Sequence, residues 1–325
     1  MDTFVIAEAG SNHNGIFDQA LKLIDIAKDA GANAVKFQTF KSETLYNKNT
    51  PNFAGYNNIN DLIKSLELPR DWQKPLKKYC DKKNIEFMSS PFDEQAVQDL
   101  VDLGVKRIKI AGFEATDLRF VDMIASTKLP LIISAGIGCN LDFIEQIIKT
   151  CNSRGCNDIT ILHCNNAYPT PQEDINLNTI KNIKNRYSNI KVGLSDHTTN
   201  TLTPSLAVAL GATTIEKHIT ISKQLSGPDH VFAMEPNELK EMIHMIRLTE
   251  LSLGQKKGQY TTSEQLFKKA GRSIVAKKNI SQGDKLTVDN ITTMRPYLNG
   301  SVPASMWFEY LNSTAGKNYK VGDFI

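Results

Sequence analysis

Eight short runs rich in Val, Ile and Phe recur along the chain, with segments of helical period between them. The runs cover residues 5–9, 34–39, 85–89, 107–111, 131–135, 159–164, 191–194 and 214–218. The helical segments cover 18–30, 71–83, 94–103, 118–126, 141–151, 178–187, 204–210 and 236–251. In the first of these Leu21, Ile24 and Ala27 recur at three-residue steps, as one buried helix face requires. Gly31, Gly104 and Gly211 follow such segments, where a helix stop wants a residue tolerant of positive φ. Strands that alternate with helices pair in parallel, and eight such units in about 250 residues predict a (β/α)₈ barrel. A doubly wound open sheet is the rival and normally uses fewer strands.

A barrel of about 250 residues leaves a remainder of the 325-residue chain unassigned. Residues 1–253 are read as the barrel, 254–271 as a polar, Gly-containing linker, and 272–325 as a small β-rich domain. That last reading rests on short strands and Gly-Asp turns across 272–276, 280–284, 286–291 and 320–323. Residues 39–68 are too long for a simple loop and carry six asparagines (47, 49, 52, 57, 58 and 60). Such an insertion is either a substrate lid or a plain surface loop.

Composition narrows the partners. Thirty-eight Lys and Arg against 35 Asp and Glu give a net charge of only +3, with no basic block to bind nucleic acid. No stretch reaches the 18 or so apolar residues that a membrane span needs, and the first apolar run follows no basic leader. Five cysteines without a C-x-x-C pair fit reduced thiols in the cytoplasm. Cys151 and Cys156 are either a pair or, more simply, packed thiols.

The chemistry lies where the strands end, the face on which such barrels carry their active sites. Strand one ends with Glu8, strand two carries Lys36 and Gln38, strand three ends at Ser90, and strand four carries Lys109 with Glu114 beyond it. Strand five ends at Ser134, six leads to Asn166, seven to Ser195 and His197, and eight to His218. Burying these groups without a use costs on the order of 1–3 kcal/mol for each one left unsatisfied. Lys36 and Lys109 with the three serines can clamp a phosphate and a carboxylate; singly, each serine reads as a turn or cap. His197 and His218 end neighbouring strands and can share one divalent metal, while either histidine alone reads as a hydrogen-bonding residue. Glu8 and Glu114 can move protons, or form salt bridges to the lysines. His13, in Ser11-Asn12-His13-Asn14-Gly15, can be no more than part of a tight turn. No G-x-G-x-x-G, Walker or nucleophile-elbow motif occurs.

These motifs together resemble the N-acetylneuraminate (sialic acid) synthase family. The resemblance is carried by Phe4–Gly15, Ala34–Phe40, Ser89-Ser90-Pro91-Phe92-Asp93, Leu162-His163-Cys164 with Tyr168-Pro169-Thr170-Pro171, Ser195-Asp196-His197-Thr198, Ile215–His218 and Gly227-Pro228-Asp229-His230. The tail, with Arg272–Ala276 and Met294-Arg295-Pro296, resembles that family's antifreeze-like (SAF) domain. The resemblance implies a TIM barrel with a SAF domain, in a domain-swapped homodimer whose small domains each cover the partner's active site. It implies a transferase that condenses phosphoenolpyruvate with an N-acetylated amino sugar, giving a nine-carbon 2-keto-3-deoxy acid and phosphate. It further implies that Lys36, Ser90, Lys109, Ser134, Asn166 and Ser195 hold phosphoenolpyruvate. His197 and His218 would bind a divalent metal, Mn²⁺ above Mg²⁺ or Co²⁺, with Glu8 near its water shell. Gln38, Glu114, Tyr168 and Asp229 would contact the sugar, and Arg295 would reach over from the other subunit.

Gly112 stands where the sialic and legionaminic branches usually carry serine, which removes one hydroxyl from the implied site. Gly112 and Leu194 resemble the pseudaminic branch, whereas Gly227–His230 resembles the other two, so the sugar stays open. Two other readings stand beside the synthase: a different metal-dependent barrel aldolase or lyase, and a non-catalytic carbohydrate-binding protein.

Overall fold

The computed structural model describes residues 2–51, 58–254 and 260–325. Asn52 and Asn57 of the insertion and residues 255–259 of the expected linker lie outside the described residues. The chain divides into two compact units, residues 1–254 and 255–325.

The first unit holds eight parallel strands: β1 (Phe4–Gly10), β2 (Ala34–Thr39), β3 (Glu86–Pro91), β4 (Ile108–Ile110), β5 (Leu131–Ala135), β6 (Ile159–Cys164), β7 (Lys191–Asp196) and β8 (Thr214–His218). They hydrogen-bond in the order β3-β2-β1-β8-β7-β6-β5-β4. The end strands β3 and β4 lie side by side, so the sheet curls into a barrel. The helices are α1 (Phe17–Ala30), α2 (Ser42–Leu45), α3 (Ile59–Ser65), α4 (Gln73–Lys83), α5 (Glu94–Asp102), α6 (Leu118–Ala125), α7 (Leu141–Ser153), α8 (Asn178–Arg186), α9 (Leu202–Ala209) and α10 (Pro236–Leu253). None among the described residues is long and apolar enough to cross a membrane.

The expected strands and helices agree to within a few residues, and the departures have local causes. β4 is shorter than expected at both ends, and Arg107 just before it pairs with Glu86 (Nε–Oε1 2.7 Å). β7 runs two residues longer, because Ser195 and Asp196 stay in register with Glu216 and Lys217 of β8. Of the insertion, α2 and α3 are short helices, the second capped by the Asn58 side chain on the Asp61 amide.

Strand alternation divides the barrel residues between two faces. Outward residues such as Val5, Val35, Ile133, Ile161 and Ile215 join the large core between strands and helices. Inward residues make a second, small cluster of Ile6, Ala34, Met88, Ile132 and Leu162. One step further along the same strands, the inward positions change character to Glu8, Lys36, Ser90, Ser134, Ser195 and Glu216, all buried. The interior is therefore an apolar floor beneath a polar ring.

The second unit pairs β9 (Ser273–Ala276) with β10 (Ile291–Met294) antiparallel. Its core is Ile274, Ala276, Ile280, Leu286, Ile291, Ala315 and Ile325. Residues 286–291, expected as a strand, instead form a turn leading into β10: Asn290 Oδ1 accepts the Thr287 amide at 2.7 Å, and Thr287 O accepts the Asn290 amide. Within the expected linker, Ser263–Ala270 is a 3₁₀ helix. A four-residue helix, α11 (Trp307–Tyr310), completes the unit. All five cysteines are free thiols, so Cys151 and Cys156 are packed side chains and not a disulfide.

Gly193 in β7 has no room for a side chain. A Cβ there would stand 2.2 Å from the Thr214 carbonyl oxygen and 2.5 Å from Leu162. Gly193→Ala is expected to destabilise the barrel by about 2–3 kcal/mol, as overpacking against backbone does. The check is the urea midpoint, which should fall with an unchanged slope; an unshifted midpoint would contradict the β7–β8 approach.

Candidate active site

The polar ring is built round one carboxylate. Glu216 Oε1 lies 3.6 Å from Lys109 Nζ and 3.8 Å from Lys36 Nζ, and accepts the Ser195 hydroxyl at 3.3 Å. Lys36 also meets Glu8 Oε2 at 2.8 Å and donates to Ser90 Oγ at 3.0 Å. Lys109 donates to Ser134 Oγ at 2.8 Å and to the Ile110 carbonyl at 3.0 Å. Gln38 donates to Glu8 Oε1 at 2.7 Å, fixing that carboxyl from its other side. Every strand from β1 to β5, with β7 and β8, thus contributes to one cluster of hydrogen bonds and ion pairs.

The protonation of this cluster follows from its neighbours. Burial disfavours the Glu216 carboxylate, but Lys109 and Lys36 overcome that and hold it below the usual range. Glu8 goes the other way: burial, reinforced by Glu216 and opposed by Lys36, raises it to about 7. Burial works against the Lys36 ammonium, yet Glu216 and Glu8 keep it above the ordinary value. Burial lowers Lys109, with Glu216 opposing. Near neutral pH Glu216 is ionised and Lys36 is protonated, while Glu8 stands close to its midpoint. Two amines and three hydroxyls gathered at one point suit an anionic ligand.

His197 and His218 stand at the mouth with ring centroids 5.4 Å apart. Burial lowers His197 to about 4 and His218 well below the ordinary value, so both rings are neutral. His197 Nδ1 bonds the Asn165 carbonyl at 2.6 Å. With that nitrogen as the donor, Nε2 keeps its lone pair. His218 Nδ1 is buried with no hydrogen-bond partner, 3.6 Å from Asp229 Oδ2. Two neutral imidazoles, one with an orphaned nitrogen, fit a divalent cation. Among the described residues no three His, Cys, Asp or Glu side chains gather to hold a metal, so the pair would leave the other positions to water and ligand.

Tyr168 stacks beside His197 at 4.3 Å between centroids and accepts the Asn166 amide at 3.2 Å. Asp229 is pushed up to about 6 by burial. Glu114 has a buried oxygen with no partner, and burial raises it to about 7. The sequence-derived residues Glu8, Lys36, Gln38, Ser90, Lys109, Glu114, Ser134, Asn166, Tyr168, Ser195, His197, His218 and Asp229 therefore all belong to the barrel unit, at or just beyond its strand ends. Arg295 is an exposed residue of the second unit, immediately after β10. His13 is a buried turn residue whose Nδ1 accepts the Gly15 amide at 3.0 Å.

Two features carry more in the structure than the strand-end reading gives them. Glu216 is the hub of the ring; its signal is that it shares an inward face with His218, two residues on. Gly112 is the other. A Cβ there would lie 2.9 Å from Asn166 Nδ2, so the Asn166 side chain already fills the space into which a serine would project. Its Oδ1 accepts the Ile137 amide at 2.8 Å.

An α/β barrel with a basic, hydroxyl-rich interior and a neutral imidazole pair at its mouth defines the class: an enzyme-like barrel for small anions. The NeuB family pattern matches residues 23–258, and the chain belongs to that family. The N,N'-diacetyllegionaminic acid synthase of Campylobacter jejuni is 39% identical over 334 residues, covering 99% of this chain and 98% of that protein. The pseudaminic acid synthase of the same organism is 34% identical, covering 99% and 95%. The crystal structure of N-acetylneuraminic acid synthetase from Leptospira borgpetersenii, in complex with citrate, superposes with a TM-score of 0.76 at 34% identity, covering 82% of this chain and 90% of that one.

Glu114 gives a pH test. Its folded carboxyl is raised from 4.5 to about 7, so the unfolded chain releases this proton first. The resulting stability is complete below about pH 4.5 and lost as pH rises through 7. Glu114→Gln is therefore expected to exceed wild type by about 2–3 kcal/mol at pH 8 and to match it near pH 4.5. Urea unfolding at both pH values measures this; an equal difference at each would sink the assignment.

Proposed function

We propose that this chain condenses phosphoenolpyruvate with an N-acylated amino sugar, N-acetylmannosamine or a 2,4-diacetamido hexose, to a nine-carbon 2-keto-3-deoxy acid and phosphate. The observation that carries this is the Lys36–Glu216–Lys109 cluster, lined by Ser90, Ser134 and Ser195, beside a neutral histidine pair. The near full-length likeness to named acid synthases supports it.

In this reading Lys36 and Lys109 bind the phosphate and carboxylate of phosphoenolpyruvate, and the serine hydroxyls and Asn166 orient it. A divalent cation held by His197 and His218, Mn²⁺ above Mg²⁺ or Co²⁺, supplies Lewis-acid polarisation of the acceptor carbonyl. Gln38, Tyr168 and Asp229 position the open-chain sugar above the enol. A bond forms between C3 of phosphoenolpyruvate and the aldehyde carbon as the carbonyl π pair moves to its oxygen, which takes up a proton, and positive character develops at C2. Water adds at C2, and phosphate leaves by C–O cleavage. Glu114, poised near 7, takes the proton of that water; Glu8, tied to Lys36 and Gln38, is the second candidate. Fixing both reactants in the cluster supplies much of the rate.

We also read the protein as a domain-swapped homodimer in which Arg295 of each small unit serves the partner's site. Its exposed position in the second unit is in keeping with that role. A cytoplasmic location accords with the five free thiols.

The test is phosphate release from phosphoenolpyruvate with Mn²⁺ and a panel of amino sugars and their 6-phosphates. Turnover is expected with at least one N-acylated acceptor. No release with any acceptor at full metal loading would overturn the proposal. Release only with non-acylated sugar phosphates would favour another barrel lyase. Lys109→Met is expected to lower kcat/KM for phosphoenolpyruvate by about 100-fold or more, read in the same assay.

A further inference from the structure

Metal-binding histidines are ordinarily steered by a hydrogen bond from the nitrogen that does not bind the metal. His197 has such a bond, to the Asn165 carbonyl at 2.6 Å. His218 lacks one whichever nitrogen binds: neither ring nitrogen makes a side-chain hydrogen bond among the described residues, and Nδ1 stands 3.6 Å from Asp229 Oδ2, beyond hydrogen-bond reach. The β7–β8 ladder does not tie the two together either. Its last rung is Asp196 opposite Lys217, each histidine follows one residue later, and His218 is laddered instead to Glu8 of β1.

That last rung carries a buried ion pair on the outward face. Lys217 Nζ meets Asp196 Oδ2 at 2.6 Å, with side-chain exposures of 1% and 0%. The same ammonium donates to the Thr198 carbonyl. Asp196 in turn accepts the Thr198 amide at 2.9 Å and the Thr198 hydroxyl at 3.1 Å. Lys217, which immediately precedes His218, thereby grips the residue before His197 and the residue after it. A buried ion pair earns little net stability over an apolar pair of the same shape. Its geometric effect is specific, since it locks the two histidine-bearing backbones to each other behind the sheet.

We propose that Lys217 and Asp196 are positioning residues that set the spacing of His197 and His218 for a divalent cation. This rests on the reading of those histidines as a metal pair, and the experiment separates the two. Mn²⁺ affinity is measured for the full-length protein by electron paramagnetic resonance titration, alongside thermal unfolding. The variants are Lys217→Met, Asp196→Asn, and the double variant Asp196→Leu with Lys217→Met, which restores apolar complementarity should a single change prevent folding. Leu100→Ala, a cavity made in α5 and outside β7 and β8, is the control for stability alone. The expected result is a loss of Mn²⁺ affinity of about 10- to 100-fold in the folded single and double variants, with Leu100→Ala binding as wild type does. Unchanged affinity in variants that merely unfold earlier would overturn the positioning role and leave the metal pair standing. A wild-type protein that binds no Mn²⁺ would overturn both.

Discussion

Two lysine ammoniums inside one barrel repel each other unless something negative stands between them. Glu216 is that group, and the rest of the interior follows from it. It keeps Lys36 charged against burial and draws Lys109 to the same point, while Ser195 donates to it and Ser90 and Ser134 accept from the two lysines. Burial, reinforced by the charge on Glu216, drives Glu8 towards its protonated form. The buried charges of the cluster thus compensate one another inside the barrel.

The two faces of the sheet divide the work. Inward residues handle ligand; outward residues at the same level hold the frame. Asp196 and Lys217 show this most clearly, since each is a chain neighbour of a histidine yet points the opposite way. The apolar contacts of the outer layer keep that ion pair away from water, where it would be worth little.

Much of this was legible in the sequence. The strands are near-continuous apolar runs because both faces are covered, and the polar residues that end them stand out for that reason. What was not legible depends on partners from other strands. Glu216 on its own is an acid in a strand; only the curl of the sheet brings it between Lys36 and Lys109. Gly112 suggested a lost hydroxyl, yet the folded chain puts Asn166 into the same space. Residues 286–291 alternate like a strand, but the Thr287–Asn290 hydrogen bonds turn the backbone first. The membership of Arg295 in a second unit was readable, since the composition changes before it.

The apolar floor of Ile6, Ala34, Met88, Ile132 and Leu162 closes the barrel beneath the polar ring. Under the proposed function, whichever reactant sits against Lys36 and Lys109 is capped by whatever stands at the histidines. The deeper reactant must then enter first, and the acceptor second. Inorganic phosphate, released at the bottom, must wait for the nine-carbon acid to move aside. The order of binding and release is thereby written into the packing of five side chains that touch no ligand.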